Sequence, residues 1–300
     1  MAKQKKRHTK KRVIVVIFSD THGGARHGLM IPGTSVHEVD EKGNLYPYKP
    51  QLTKIQRYLH RTFITDLAVM KEFADGDDIA LIHNGDLTHG NIYKTELVST
   101  RLADQILIAC ANMEKAIEIL GSNVKKIRLV HGTGSHTFKE GSAPILVCSY
   151  LQAKFSHLDI SASAHYLLDV FGMSVDIAHK GPSAGKRKWL KGNQLRWYTN
   201  NAMIRDLENG DKPADVILRG HFHEFWHETV RRHNKRGSFK TESFLLPSYC
   251  GLDEYGRSAT SSTNYIGNGM VALEVQPKSI LPFYEDTVHL SDIRTKETLW

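Results

Sequence analysis

Three hundred residues, 40% hydrophobic and 24% charged, describe an ordinary globular chain with room for one large domain or at most two. No apolar run approaches the length that spans a bilayer. The basic start Met1–Arg12 is followed only by the short run Val13–Phe18, which argues against a membrane span and a secretory signal. Of the formal net charge of +8, seven charges come from Lys3, Lys5, Lys6, Arg7, Lys10, Lys11 and Arg12, so the rest is close to neutral.

Residues 1–12 are therefore expected to form a disordered basic arm. Such an arm either grips a nucleic-acid backbone in a salt-dependent, sequence-independent way or simply keeps the chain soluble. Cys110, Cys148 and Cys250 are too widely spaced for a disulfide framework or a zinc ribbon, which points to a reducing cytoplasm.

Val13–Phe18, a β-branched run, predicts a buried strand. Gly23–Pro50, rich in Gly, Pro and polar residues, reads as a long loop over a site. Gln51–Phe73 carries helical spacing at Leu52, Ile55, Leu59, Phe63, Leu67 and Met70. Asp78–Ile82 predicts a second strand, and Lys94–Leu120 a long amphipathic helix stopped by Gly121. Lys126–Val130 follows as a third strand, then the loop Gly132–His136, then a helix from about Pro144 to Phe155. Ala164–Val170 and Ser174–Ala178 predict a hairpin around Gly172, Asn193–Glu208 a helix and Val216–Leu218 a short strand. Glu224–Arg232, Ser238–Leu246 and Met270–Val275 predict further strands. This rhythm, without internal repeat, predicts two packed sheets with helices outside, in a single domain over 13–300.

Five segments carry chemistry: Asp20-Thr21-His22, Gly85-Asp86-Leu87-Thr88-His89, Gly132-Thr133-Gly134-Ser135-His136, Ala178-His179-Lys180-Gly181 and Gly220-His221-Phe222-His223. Each follows an apolar run closely, so an α/β sheet can gather them at its strand ends. Asp-x-His is expected to turn both side chains to one side of an extended segment, where both can bind one ion. Asp86, at a sharp turn, can bridge two ions, and His221 and His223 can each take a different one. Mixed nitrogen and oxygen donors suit manganese, iron, zinc or nickel better than magnesium or calcium.

In this order the motifs resemble those of the calcineurin-like metallophosphoesterases, from about Val13 to His223. The details Gly132-Thr133, His179-Lys180-Gly181-Pro182-Ser183 and Arg219-Gly220-His221 look closest to members encoded by tailed phages and prophages. The resemblance implies a four-layer α/β/β/α sandwich with two mixed β-sheets and two divalent transition-metal ions. Asp20, His22 and His223 would hold the first ion, His179 and His221 the second, and Asp86 both. A hydroxide between the metals would attack phosphorus, while His136 would steady developing charge and protonate the leaving oxygen. The family's third motif usually reads Gly-Asn-His, with the Asn on the second metal. Here Thr133 and Ser135 offer only hydroxyls, so the second site is expected to be weak, exchangeable or filled only with substrate. His89 is expected to support a ligand rather than bind metal.

Lys186, Arg187 and Lys188, just after His179, either contact substrate phosphates or form a solvated face. Trp189, Trp197 and Trp226 either stack on a base or, more commonly for Trp, pack in the core. His83 and Asn84, just before the Gly-Asp turn, either orient a ligand or, more commonly, form a hydrogen-bonded pair at a strand end. The expectation is a cytoplasmic metal-dependent phosphoesterase acting on a phosphodiester of nucleotide or nucleic-acid type. A small-molecule phosphomonoesterase and a non-catalytic nucleic-acid-binding protein on the same fold are the alternatives.

Overall fold

The computed structural model describes residues 12–92, 97–183, 185, 191–251 and 265–292. Residues 1–11 of the basic arm, together with Lys186, Arg187, Lys188 and Trp189, lie outside the described residues. Arg12, assigned above to the arm, is instead tied to the fold: its Nε lies 2.5 Å from Asp77 Oδ2, and a guanidinium nitrogen donates to the Phe73 carbonyl at 2.7 Å.

In chain order the elements are β1 (Val13–Phe18), β2 (Val36–Val39), β3 (Leu45–Tyr48), α1 (Lys54–Ala74), β4 (Asp78–His83), α2 (Leu102–Leu120), β5 (Val124–Val130) and α3 (Ser142–Lys154). There follow β6 (Asp159–Ser163), β7 (His165–Val170), β8 (Met173–Ala178), α4 (Asn193–Asn209), β9 (Val216–Arg219), β10 (Trp226–Asn234) and β11 (Gly237–Leu245). The described chain closes with β12 (Tyr265–Gly269), β13 (Val271–Gln276), β14 (Ser279–Phe283) and β15 (Val288–Asp292). One sheet has the order β14-β13-β1-β4-β5-β6 and the other β10-β11-β9-β8-β7. Both are mixed: β1, β4, β5 and β6 run parallel, as do β8, β9 and β11, while β13 and β10 pair antiparallel.

Alternation along β1 explains the layering. Ile14, Val16 and Phe18 face a core shared with Leu59, Phe63 and Leu67 of α1, Met113 of α2 and Val147 and Leu151 of α3. Val15 and Ile17 face the opposite way, against Val175, Ile177, Val216, Leu218 and Phe244 of the second sheet. A central strand buried on both faces reads as a continuous apolar run, as this one does. Leu195 of α4 packs on Leu245 and Trp226 at the far face. The result is the α/β/β/α sandwich. Phe18 is wholly buried, edge-on to Phe63 and His83 at ring distances of 5.4 and 4.9 Å. Phe18→Ala is expected to cost about 3–5 kcal/mol in urea unfolding. A loss below about 1 kcal/mol would contradict the packing.

Several expectations need correction. Gly23–Pro50 is not wholly loop, because it contains the β2–β3 hairpin. The signal lay in its turn: Asp40 Oδ1 accepts from the amides of Lys42 and Asn44, and Gly43 adopts φ +84°. The helix expected from Lys94 begins at Leu102. Lys94 lies outside the described residues, and Leu97 and Val98 pair with Ala25 and Gly24 instead. β6, β12, β14 and β15 were not foreseen. Trp226 is half-buried and donates to Glu228, whereas Trp197 is 69% exposed rather than in the core. No helix among the described residues is long and apolar enough to cross a membrane.

Candidate metal centre

Parallel pairing puts the carboxyl ends of β1, β4 and β5 on one edge of the first sheet, and those of β8 and β9 on one edge of the second. Side chains leaving such ends meet in the crevice beyond them. Backbone bonds lock the segments together: Asn84 N–H donates to Phe18 O, Asp20 N–H to Gly85 O, His22 N–H to Asp86 O and Gly220 N–H to His179 O.

The structure gathers the six residues expected as metal ligands. Asp20 Oδ1 lies 3.3 Å from His223 Nε2, 3.8 Å from His22 Nε2 and 3.7 Å from His179 Nε2. His179 Nε2 lies 3.0 Å from Asp86 Oδ2, and His22 Nε2 lies 3.2 Å from His223 Nε2. Donor atoms of Asp86, His179 and His221 form one cluster within 4.8 Å, and those of Asp20, His22 and Asp86 another. His221 belongs to the first of these, whereas His223 clusters with His22. The expected extended geometry is wrong, however. Asp20, His22, Asp86, His221 and His223 all adopt φ between 45° and 78°, the left-handed region that non-glycine residues rarely occupy. Such strain persists where the surroundings fix it, and it concentrates at functional sites.

Neighbouring groups orient the imidazoles. His179 Nδ1–H donates to the Asn84 carbonyl at 2.6 Å, leaving Nε2 aimed at the carboxylates. Ser19, not singled out in the sequence, hydrogen-bonds Asp20 Oδ2 and lies 2.9 Å from the same Asn84 carbonyl. Thr133 binds a carboxylate: its N–H donates to Asp86 Oδ1 at 2.7 Å, and its hydroxyl lies 3.3 Å from that oxygen and 3.1 Å from Ser135 Oγ. His89 stands 3.2 Å from His22 Nδ1 through its own Nδ1 and accepts from His136 Nδ1–H through its carbonyl at 2.5 Å. His83 reaches Thr21 Oγ1 at 3.0 Å, the bonded strand-end role expected of it. Glycine is required at two places. A Cβ on Gly85 would strike the His179 ring, and one on Gly132 would strike Asp86 Oδ1.

The donor set fits a divalent ion. Asp20 Oδ1 is buried without a partner in hydrogen-bonding geometry, facing the ring nitrogens of His22, His179 and His223. An unpaired buried carboxylate oxygen is costly, and a cation shared with those rings satisfies it. Protonation follows the same geometry. Burial pushes Asp20 and Asp86 upward, but His179 and the other imidazoles outweigh it and hold both carboxyls well below the usual range. Burial lowers His22 and His221. It also lowers His179, yet Asp86 and Asp20 overcome it and raise that imidazole to about 9.

A raised folded-state pKa stabilises the metal-free protein below the ordinary value of 6.5. That contribution is lost as pH climbs through about 9. A metal needs the neutral imidazole, so binding must expel this proton. At pH 7, calorimetry in buffers of differing ionisation enthalpy is expected to show proton release on metal binding, of which about one per chain comes from His179. Apparent affinity should rise with pH up to about 9. A pH-independent affinity between 6 and 9 would contradict this state.

The calcineurin-like phosphoesterase family model matches residues 14–225. The chain belongs to that family, whose members act on phosphate esters and bind divalent metals. No curated protein matches the chain in sequence. Among solved structures it is similar to the Thermus thermophilus sulfate thiohydrolase SoxB in complex with glycerol, at 13% identity and TM-score 0.36, covering 96% of this chain. It spans 58% of that longer chain. It is also similar to a Thermotoga maritima protein solved by NMR, at 12% identity and TM-score 0.29, covering 93% of this chain and 99% of that one.

Proposed function

We propose that the chain, as a single domain, is a metal-dependent phosphodiesterase acting on a diester of nucleotide or nucleic-acid type. Asp20, His22 and His223 would hold one ion, His179 and His221 a second, and Asp86 would serve both. The observation that carries this reading is the buried Asp20 Oδ1, without a partner in hydrogen-bonding geometry and faced by His223 Nε2 at 3.3 Å and His179 Nε2 at 3.7 Å. Divalent ions supply, when bound, the Lewis acidity that lets water attack phosphorus at neutral pH without a covalent nucleophile from the protein.

The remaining work falls to the chain. Thr133 holds Asp86 and Asn84 holds His179, so neither donor must reorganise during reaction. His136, with Nδ1–H committed to the His89 carbonyl, presents Nε2 to the pocket 3.9 Å from Asp86 Oδ2 and is the proposed proton donor to the leaving oxygen. A diester carries an organic group on both sides of phosphorus. Phe222, 38% exposed between His221 and His223 and edge-on to the His221 ring at 4.9 Å, offers one of them a stacking face. Lys186, Arg187 and Lys188 follow His179 in sequence and supply positive charge for further phosphates.

With manganese, hydrolysis of bis(4-nitrophenyl) phosphate is expected to exceed that of 4-nitrophenyl phosphate by about tenfold or more in kcat/KM. The reverse preference would make the chain a monoesterase. Inertness toward both with manganese, iron, zinc and nickel, alongside retained DNA binding, would favour the binding protein.

A further inference from the structure

Cys250 stands beside the proposed first ion. Its Sγ and the ligand nitrogens of His22 and His223 all lie within 4.8 Å of one another. Asp20 Oδ1, wholly buried and without a hydrogen-bond partner, is aimed at the same two imidazoles, 3.3 Å from His223 Nε2 and 3.8 Å from His22 Nε2. Two imidazole nitrogens and one sulfur therefore cluster, and a carboxylate oxygen lies against the same two imidazoles.

The backbone fixes Cys250 there without help from a metal. Cys250 pairs with Gly28 in an isolated bridge, Gly251 N–H donates to His27 O at 2.7 Å, and Asn268 Nδ2 donates to the Cys250 carbonyl at 3.1 Å. The residue is 1% exposed, and none of the three cysteines is in a disulfide. Cys110 and Cys148, by contrast, sit among the apolar side chains of the helical layer.

We propose that Cys250 is a thiolate ligand of the ion held by Asp20, His22 and His223, which makes that site selective for borderline and soft metals over manganese and magnesium. The inference rests on the metal-centre reading above. Coordination replaces the S–H bond with a metal–sulfur bond and sends the proton to solvent. A set that mixes nitrogen, oxygen and sulfur donors suits zinc and cobalt, whereas purely hard donors suit manganese and magnesium. Cys250 belongs to none of the five motif segments, which is why motif spacing passes over it.

The test is cobalt(II) titration of the metal-free full-length protein, followed by absorption. Wild type is expected to develop visible ligand-field bands together with an intense near-ultraviolet sulfur-to-cobalt charge-transfer band. The charge-transfer band should be lost in Cys250→Ser while the ligand-field bands remain, and it should persist in the Cys110→Ser/Cys148→Ser double variant. That double variant keeps the proposal testable if Cys250→Ser fails to fold. Ligand-field bands without charge transfer in wild type would overturn the sulfur ligand alone. Absence of any cobalt binding would overturn it together with the metal centre.

Discussion

Asp86→Asn is expected to lower hydrolysis of bis(4-nitrophenyl) phosphate by roughly 10³-fold or more, a loss of several kcal/mol of transition-state stabilisation. The substitution keeps the size of the side chain and leaves an oxygen to accept from Thr133 N–H, now bonded to Asp86 Oδ1 at 2.7 Å. What disappears is the negative charge shared by the two donor clusters. Without it, His179 loses the nearer of its two carboxylates, at 3.0 Å against 3.7 Å for Asp20. Its pKa should fall back from about 9, since Asp86 is the larger of the two effects that raise it. Steady-state kinetics, metal analysis and near-UV circular dichroism on the same preparation separate lost chemistry from lost structure. A folded variant that keeps both its metal and its activity would contradict the bridging role.

His136→Ala should be the second large effect, a fall in kcat of about 10²–10⁴-fold with metal content unchanged. His136 packs edge-on against His22 at a ring distance of 4.4 Å and points Nε2 into the pocket. A proton donor matters most when the leaving group is poor. The loss should therefore be greater for an alkyl ester than for a nitrophenyl ester, whose leaving oxygen needs little help. The competing arrangement is also visible, because His22, His89 and His136 present donor atoms within 4.8 Å. If metal content falls in step with activity, and the loss is equal for both esters, His136 is a ligand rather than the acid.

Much of the sandwich was legible in the chain because its central strands are buried on both faces and so read as uninterrupted apolar runs. Val13–Phe18 was found with its bounds intact for this reason. β6, with Ser161 and Ser163 among its five residues, lies at a sheet edge and carries no such run. The β2–β3 hairpin was hidden by its setting in a Gly- and Pro-rich stretch, although the Asp40–Asn44 turn carried the signal. Within the site, Asp and His at strand ends announced themselves, since few other uses need that residue pair repeated after apolar runs. The backbone that aims them did not. Asp20 and His22 sit at φ 54° and 45°, not in an extended segment, and no residue pattern distinguishes those two conformations for Asp-x-His. Ser19 was missed because it acts through one hydrogen bond on a ligand, a role with no spacing to read.

Binding of cobalt(II) to the metal-free protein, followed by isothermal titration with electron paramagnetic resonance on the same samples, addresses the cation pocket directly. Two equivalents per chain, with an exchange-coupled signal that disappears in Asp86→Ala, are the expected result. Failure of wild type to bind cobalt, zinc or iron would leave Asp20 Oδ1 without the partner that justifies its burial, and the account would be wrong.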